Sequence, residues 1–171
     1  MSKNLKYVIG DATHPVSDTD ARLIIHCCNS VGAWGRGFVL ALSKRDKLPE
    51  MSFRAWAKKE LIDVAPYVLG NIQICSYCSS SEKNLFVANM VGQKGITTVD
   101  GVPPIRYDAV DSCLSKVREW IKMLEAEGKT ISVHAPRFGS ALAGGDWRLI
   151  EKLIIDNLCN YDIDVTIYDL T

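Results

Sequence analysis

A chain of 171 residues with 20 basic and 20 acidic side chains carries no net charge at neutral pH. That excludes a protein built to hold nucleic acid through a strong overall basic field and leaves room only for a local patch. Hydrophobic content of 47% and charged content of 23% fit one ordinary globular domain, with a core large enough to need no staples. No apolar run approaches the roughly 18 residues of a membrane span. Met1-Ser2-Lys3-Asn4 leads straight into a strand-like run with no signal peptide, so the expected setting is the cytoplasm. The same setting implies that all six cysteines are reduced thiols.

Leu5 to Gly10 reads as a first strand that runs directly into Asp11-Ala12-Thr13. A carboxylate just past a strand's C-terminal end stands where ligands bind in open α/β sheets, though a plain turn residue would look the same. Asp18 to Ala21 is a polar connector. Leu23-Ile24-Ile25 then begins a short apolar strand buried on both faces, which ends in His26, Cys27, Cys28 and Asn29. A loop with Gly32, Gly35 and Gly37 follows, and Phe38 to Leu42 opens a buried helix. Strand, glycine loop and helix bring backbone N–H groups and a helix N-terminus up to a phosphate. The spacing is neither that of a P-loop nor G-x-G-x-x-G.

Asp46 to Glu50 reads as a charged loop around Pro49, and Met51 to Leu61 as a second helix. Ile72 to Tyr77 alternates apolar and polar residues, and Leu85 to Val91 returns as its hairpin partner. Cys75 and Cys78 form a lone C-x-x-C, a weak zinc signal without a second pair, and Cys75 reads as a small packed hydrophobe. Gly92-Gln93-Lys94-Gly95 is a polar exit, and residues 97–106 are loop. Tyr107 to Ala126 is a helix, with Val110, Leu114, Val117, Ile121 and Leu124 on one stripe and Gly128 past its end. Ile131 to Ala135 is a buried strand that leads into Pro136-Arg137-Phe138-Gly139-Ser140-Ala141-Leu142-Ala143-Gly144-Gly145-Asp146. A helix over Trp147 to Cys159 and a strand over Val165 to Tyr168 close the chain.

Strands alternating with helices predict a single-domain, three-layer α/β/α fold on a mixed, mostly parallel sheet. The strand ends at Gly10, Cys28, Val91 and Ala135 would converge on one crevice. The Gly32–Gly37 and Gly139–Gly145 segments would then cradle a diphosphate from both sides, with no metal or cofactor required.

Gly10-Asp11-Ala12-Thr13, Ile25-His26-Cys27-Cys28-Asn29, Gly32-Ala33-Trp34-Gly35-Arg36-Gly37 and Pro136-Arg137-Phe138-Gly139-Ser140-Ala141-Leu142 stand in this order at the strand ends. In that order the chain resembles a macrodomain, of the small branch typified by ADP-ribose 1''-phosphate phosphatases. The resemblance implies that Asp11, with Ala12, binds the adenine amino group. It implies that Asn29 faces the distal ribose, and that Trp34, Gly35, Arg36 and Gly37 belong to the first phosphate loop. Phe138, Gly139, Ser140, Ala141 and Leu142 belong to the second. The ligand it implies is ADP-ribose or a derivative, carried by a monomer with no membrane partner; ADP-ribosylated protein or nucleic acid is the alternative substrate.

Three departures stand out. Val39 occupies the position of the aspartate that acts as base in the acidic-loop branch. Gln93 and Ala143 occupy the lysine and aspartate positions of the deglycosylase branch, with Lys94 one residue late. Arg36 replaces a glycine and could pair with a terminal phosphate. Hydrolysis needs a base and donors for developing charge. Asn29, His26 and Asp146 are the catalytic candidates: Asn29 to orient, His26 or Asp146 to take a proton. The alternatives are a strand-bound core histidine for His26 and a helix N-cap for Asp146. His134 reads as structural and His14 as a rim residue. Two rivals stand beside phosphatase activity: removal of ADP-ribose from macromolecules, and an ADP-ribose reader with no turnover.

Overall fold

The computed structural model describes residues 4–171, so Met1–Lys3, part of the expected leaderless start, lie outside the described residues. Six strands form one sheet: β1 (Leu5–Ile9), β2 (Ala21–Asn29), β3 (Ile72–Ser76), β4 (Leu85–Gln93), β5 (Ile131–Ala135) and β6 (Asp164–Asp169). Their order is β1-β6-β5-β2-β4-β3. All neighbours are parallel except the β3/β4 hairpin at the edge. The helices are α1 (Phe38–Arg45), α2 (Leu48–Ala57), α3 (Tyr107–Ala126) and α4 (Trp147–Asn157).

The two sheet faces sort the side chains of β2 by parity. Leu23 and Ile25 point into a core shared with Val110, Leu114, Val117 and Ile121 of α3 and Ile150 and Ile154 of α4. Ile24 and Cys28 point to the opposite core, with Leu42, Phe53 and Trp56 from α1 and α2. This is the three-layer α/β/α arrangement that the alternating pattern predicts. Among the described residues no helix is long and apolar enough to cross a membrane.

Several boundaries differ from the sequence reading. α2 starts at Leu48, so Pro49 lies in the first helical turn and not in a loop. Its fixed φ and missing N–H suit that turn, where an N–H would have no helical partner. The Asp46 carboxylate accepts a hydrogen bond from the Leu48 N–H at 2.9 Å and helps start the helix. α2 ends at Ala57, four residues before Leu61, because Lys59 adopts a left-handed φ of 59° that a helix cannot hold. α4 stops at Asn157, and Cys159–Tyr161 is a separate 3₁₀ turn.

β4 also runs on through Gly92 to Gln93. The register against β2 steps from Cys28↔Val91 to Asn29↔Gln93, so Gly92 is the extra residue of a bulge. A Cβ there would meet the Cys27 Sγ at 2.5 Å. The bulge brings Gln93 opposite Asn29 at the C-terminal end of the sheet.

Candidate functional site

A cleft of about 240 Å³ opens at the C-terminal ends of β2, β4 and β5. His26 and Cys27 come to it from β2, Gln93 from β4, and residues 136–139 and 141–143 from the β5–α4 loop. Arg36, Gly37, Phe38 and Val39 close it from the β2–α1 side. The two loops nearly touch: a Cβ on Gly37, where φ is 81°, would lie 3.4 Å from Leu142. Three of the four expected strand ends therefore converge. The fourth, β1, is separated from β2 by β6 and β5. Three strand spacings put Asp11 roughly 14 Å from the β2 end.

Both loops hold backbone donors with no acceptor inside the described chain. The β5–α4 loop is folded by its own bonds, Gly145 N to Gly139 O at 2.8 Å and Gly144 N to Ala141 O at 3.1 Å. The N–H groups of Ser140, Ala141 and Leu142 take part in none of them. In the other loop the N–H groups of Gly35, Arg36 and Gly37 are equally unpaired. α1 follows at once, with no side-chain cap and no acidic residue in its first turn. A helix N-terminus so prepared favours an anion.

Glycine at 139 serves the packing behind the loop. Its φ is 75°, and a Cβ would stand 2.8 Å from the Ile105 Cδ1 and 3.1 Å from the Ile150 Cδ1. The added atom would enter the core and not the cleft.

The other expected residues fall into distinct settings. Asn29 staples its own loop: its Oδ1 accepts from the N–H groups of Val31 (3.1 Å) and Ala33 (3.0 Å), and its Nδ2 donates to the Ala33 carbonyl (2.9 Å). Trp34 is buried in the α1/α2 core. Its Nε1 donates to the Ser43 Oγ, and its ring meets His26 edge-on at 5.5 Å, so it packs beneath the loop and does not cover the cleft. Ala12 is buried. The Asp11 Oδ1 accepts from the Thr13 N–H (2.9 Å) and Oγ1 (2.8 Å), and its Oδ2 faces the His14 Nδ1 at 3.3 Å. Burial works to raise this carboxyl's pKa, but those hydrogen bonds more than offset it and hold it below its ordinary value.

His26 is fully enclosed, and burial brings its pKa down to about 4 against a partial opposing pull from Asn89. The Asn89 Nδ2 donates to the Pro49 carbonyl and the Gln73 Oε1, so its Oδ1 is the atom that faces the His26 Nε2 at 2.6 Å. Neutral His26 therefore carries its proton on Nε2, and Nδ1 is the unprotonated nitrogen. Asp146 caps α4, accepting from the Arg148 N–H at 3.0 Å. The Arg148 side chain holds its carboxyl below the ordinary pKa. It is not among the residues lining the cleft.

The sequence reading missed Arg137. It stands at the cleft edge with its guanidinium 5.0 Å from the Tyr7 ring and 5.6 Å from Trp147, and donates to both oxygens of Asp169 (2.8 and 3.1 Å). An arginine at the head of a glycine loop was the available signal. Its aromatic bracket joins β1 and α4 and its ion pair adds β6, which no local pattern reveals.

No family model matches the chain. It is 30% identical over 168 residues to the chromodomain-helicase-DNA-binding protein 1-like of Danio rerio, which covers 96% of this chain and 15% of that protein. The chain thus spans only about 15% of that relative's length. The ADP-ribose 1''-phosphate phosphatase of Candida albicans is 20% identical, over 90% of this chain and 95% of its own. The structure of Thermosipho africanus DarTG in complex with ADP-ribose shares the fold, with TM-score 0.72, 20% identity, and coverage of 98% of this chain and 42% of that one. A macrodomain protein from Streptomyces coelicolor superposes with TM-score 0.78 at 40% identity, over 96% of this chain and 98% of that chain. With that identity sustained over nearly the whole length of both proteins, the chain belongs to the macrodomain family.

Proposed function

We propose that the chain binds ADP-ribose across the C-terminal end of the sheet and hydrolyses a group at its distal ribose, with ADP-ribose 1''-phosphate as the substrate. One observation carries the binding: unpaired backbone N–H groups on two loops that face each other over the cleft, one of them opening a helix. The roughly 14 Å from Asp11 to the β2 end suits a long ligand, with its base at Asp11 and its diphosphate between the loops. The complex of Thermosipho africanus DarTG with ADP-ribose and the Candida albicans 1''-phosphate phosphatase support this choice of ligand.

In the hydrolytic step Asn29 acts by holding the loop that presents Gly35–Gly37, and the proton acceptor is sought between His26 and Asp146. Loss of the true base costs roughly 10²–10⁴ in rate and little in affinity. The test is phosphate release from ADP-ribose 1''-phosphate by wild type, Asn29→Ala, His26→Ala and Asp146→Ala, alongside ADP-ribose affinity. The expected result is a large rate loss at Asn29 and at one of the other two. A wild-type protein that binds ADP-ribose and releases no phosphate overturns the phosphatase assignment and leaves the two readings below.

A second reading, ADP-ribose binding without turnover, is favoured by the lining itself, which carries Arg36 and Arg137 but no carboxylate. Removal of ADP-ribose from a modified protein or nucleic acid is the third reading, tested by offering such a substrate.

A further inference from the structure

Behind the β2–α1 loop lies a second cavity of about 260 Å³, separate from the cleft. Ser30 and Gly32 line it from the loop, Arg54, Ala57 and Lys58 from the end of α2, and Tyr67 from the segment beyond. It is a fitted wall. Gly32, at φ 71°, comes so close to α2 that a Cβ would lie 3.0 Å from the Ala57 Cβ. The Tyr67 hydroxyl accepts from the Gly32 N–H at 2.8 Å and donates to the Asn29 carbonyl at 2.6 Å. The Ser30 Oγ accepts from the Gly95 N–H at 2.9 Å, which ties the same loop to the segment after Gln93.

Two cations face this cavity. Arg54 is paired with Glu50 at 3.0 Å and donates to the Gly32 carbonyl at 3.5 Å. Lys58 makes no side-chain hydrogen bond or ion pair among the described residues. An unpaired ammonium beside a guanidinium in a concave site attracts an anion, and arginine's fork suits phosphate oxygens. Asn29 joins the two sites: its carbonyl is held by Tyr67 of the cavity wall, and its β4 partner Gln93 lines the cleft.

From this geometry we infer that the cavity is an anion subsite, in which Arg54 and Lys58 take a phosphate carried beyond the distal ribose. The inference rests on ADP-ribose lying in the neighbouring cleft. The phosphate has two chemical sources: a terminal monoester on the distal ribose, or the phosphate of a chain that continues from it.

Calorimetry on the intact protein separates the possibilities, with ADP-ribose, a non-hydrolysable phosphonate analogue of ADP-ribose 1''-phosphate and an ADP-ribose dimer as probes. Two variants are compared with wild type: Lys58→Gln, at a side chain with no hydrogen bond or ion pair among the described residues, and Arg54→Gln/Lys58→Gln. Wild type should bind at least one phosphate-extended probe about tenfold more tightly than ADP-ribose. Both variants should lose most of that gain, and in Lys58→Gln ADP-ribose affinity should hold within about twofold. A gain confined to the phosphonate identifies a terminal phosphate; a gain with the dimer identifies a continuing chain. If wild type shows no gain, or the gain survives in the double variant, the subsite is overturned and Lys58 serves only the α2 C-terminus, where a helix dipole favours a cation. Titration with inorganic phosphate, read on the amide resonances of Ser30 and Gly32, keeps the two readings apart. If ADP-ribose does not bind at all, shifts there that vanish in Lys58→Gln still support the subsite, and their absence overturns it.

Discussion

Asp11 and Gly139, two residues of the proposed ADP-ribose site, are held in different ways. The Asp11 carboxylate sits half-exposed on a turn that it closes by accepting from Thr13. Asp11→Asn keeps an oxygen for that turn and removes the charge. ADP-ribose affinity should fall by about tenfold, roughly 1.4 kcal/mol, with the thermal transition unchanged; calorimetry that shows equal affinity removes Asp11 from the adenine end. Gly139→Ala should cost roughly 2–4 kcal/mol of stability in urea, from a strained φ and a methyl driven against Ile105 and Ile150. Gly35→Ala, with nothing within 4 Å of the added Cβ, should cost less than about 0.5 kcal/mol. Equal losses at the two positions would refute the packing argument. Spacing marks both residues as glycine and cannot say which side of the chain demands the missing Cβ. That depends on Ile105, 34 residues away in sequence.

At the scale of the element, α4 tests the capping account. The Asp146 carboxylate accepts from the Arg148 N–H at the first turn, so Asp146→Ala should lower the urea stability by about 1 kcal/mol. A neutral result would mean that solvent already satisfies that N–H. The limits of α3 were legible because one stripe of apolar residues runs unbroken from Val110 to Ile121 and Gly128, at φ 85°, ends it. α2 was shifted because proline was read as a breaker, when in a first turn it is a starter. The Gly92 bulge could not be read at all. A bulge is defined by the register of a partner strand, here β2, and it is what sets Gln93 opposite Asn29.

For the whole molecule, two enclosed histidines set a pH limit. Burial brings both down to about 4, and Arg22 and Lys6 add to the effect at His134. An unfolded histidine titrates near 6.5, so between pH 6.5 and 4 the unfolded chain binds more protons than the folded one. Stability is therefore complete above that window and falls as the pH drops through it. By pH 5 the loss should reach about 2 kcal/mol per histidine. Urea midpoints at pH 7 and pH 5 check this, and a flat profile would contradict it. His134 is held by the Ser132 Oγ and the Tyr168 hydroxyl, both at 2.7 Å, so His134→Gln should remove about half of the slope. The layered fold was legible because buried strands and amphipathic helices alternate along the chain. The site was legible only as loops at strand ends. The settings of Asn29 and Trp34 depend on Ala33, Ser43 and Phe53, which meet them only once the loop is folded over the core. The central claim is that ADP-ribose is held by bare amides on both loops, and titration of ¹⁵N-labelled protein with ADP-ribose tests it most directly. The amides of Gly35, Gly37, Ser140 and Leu142 should shift together and saturate at one ligand per chain. Absence of saturable binding, or shifts that leave either loop untouched, would contradict it.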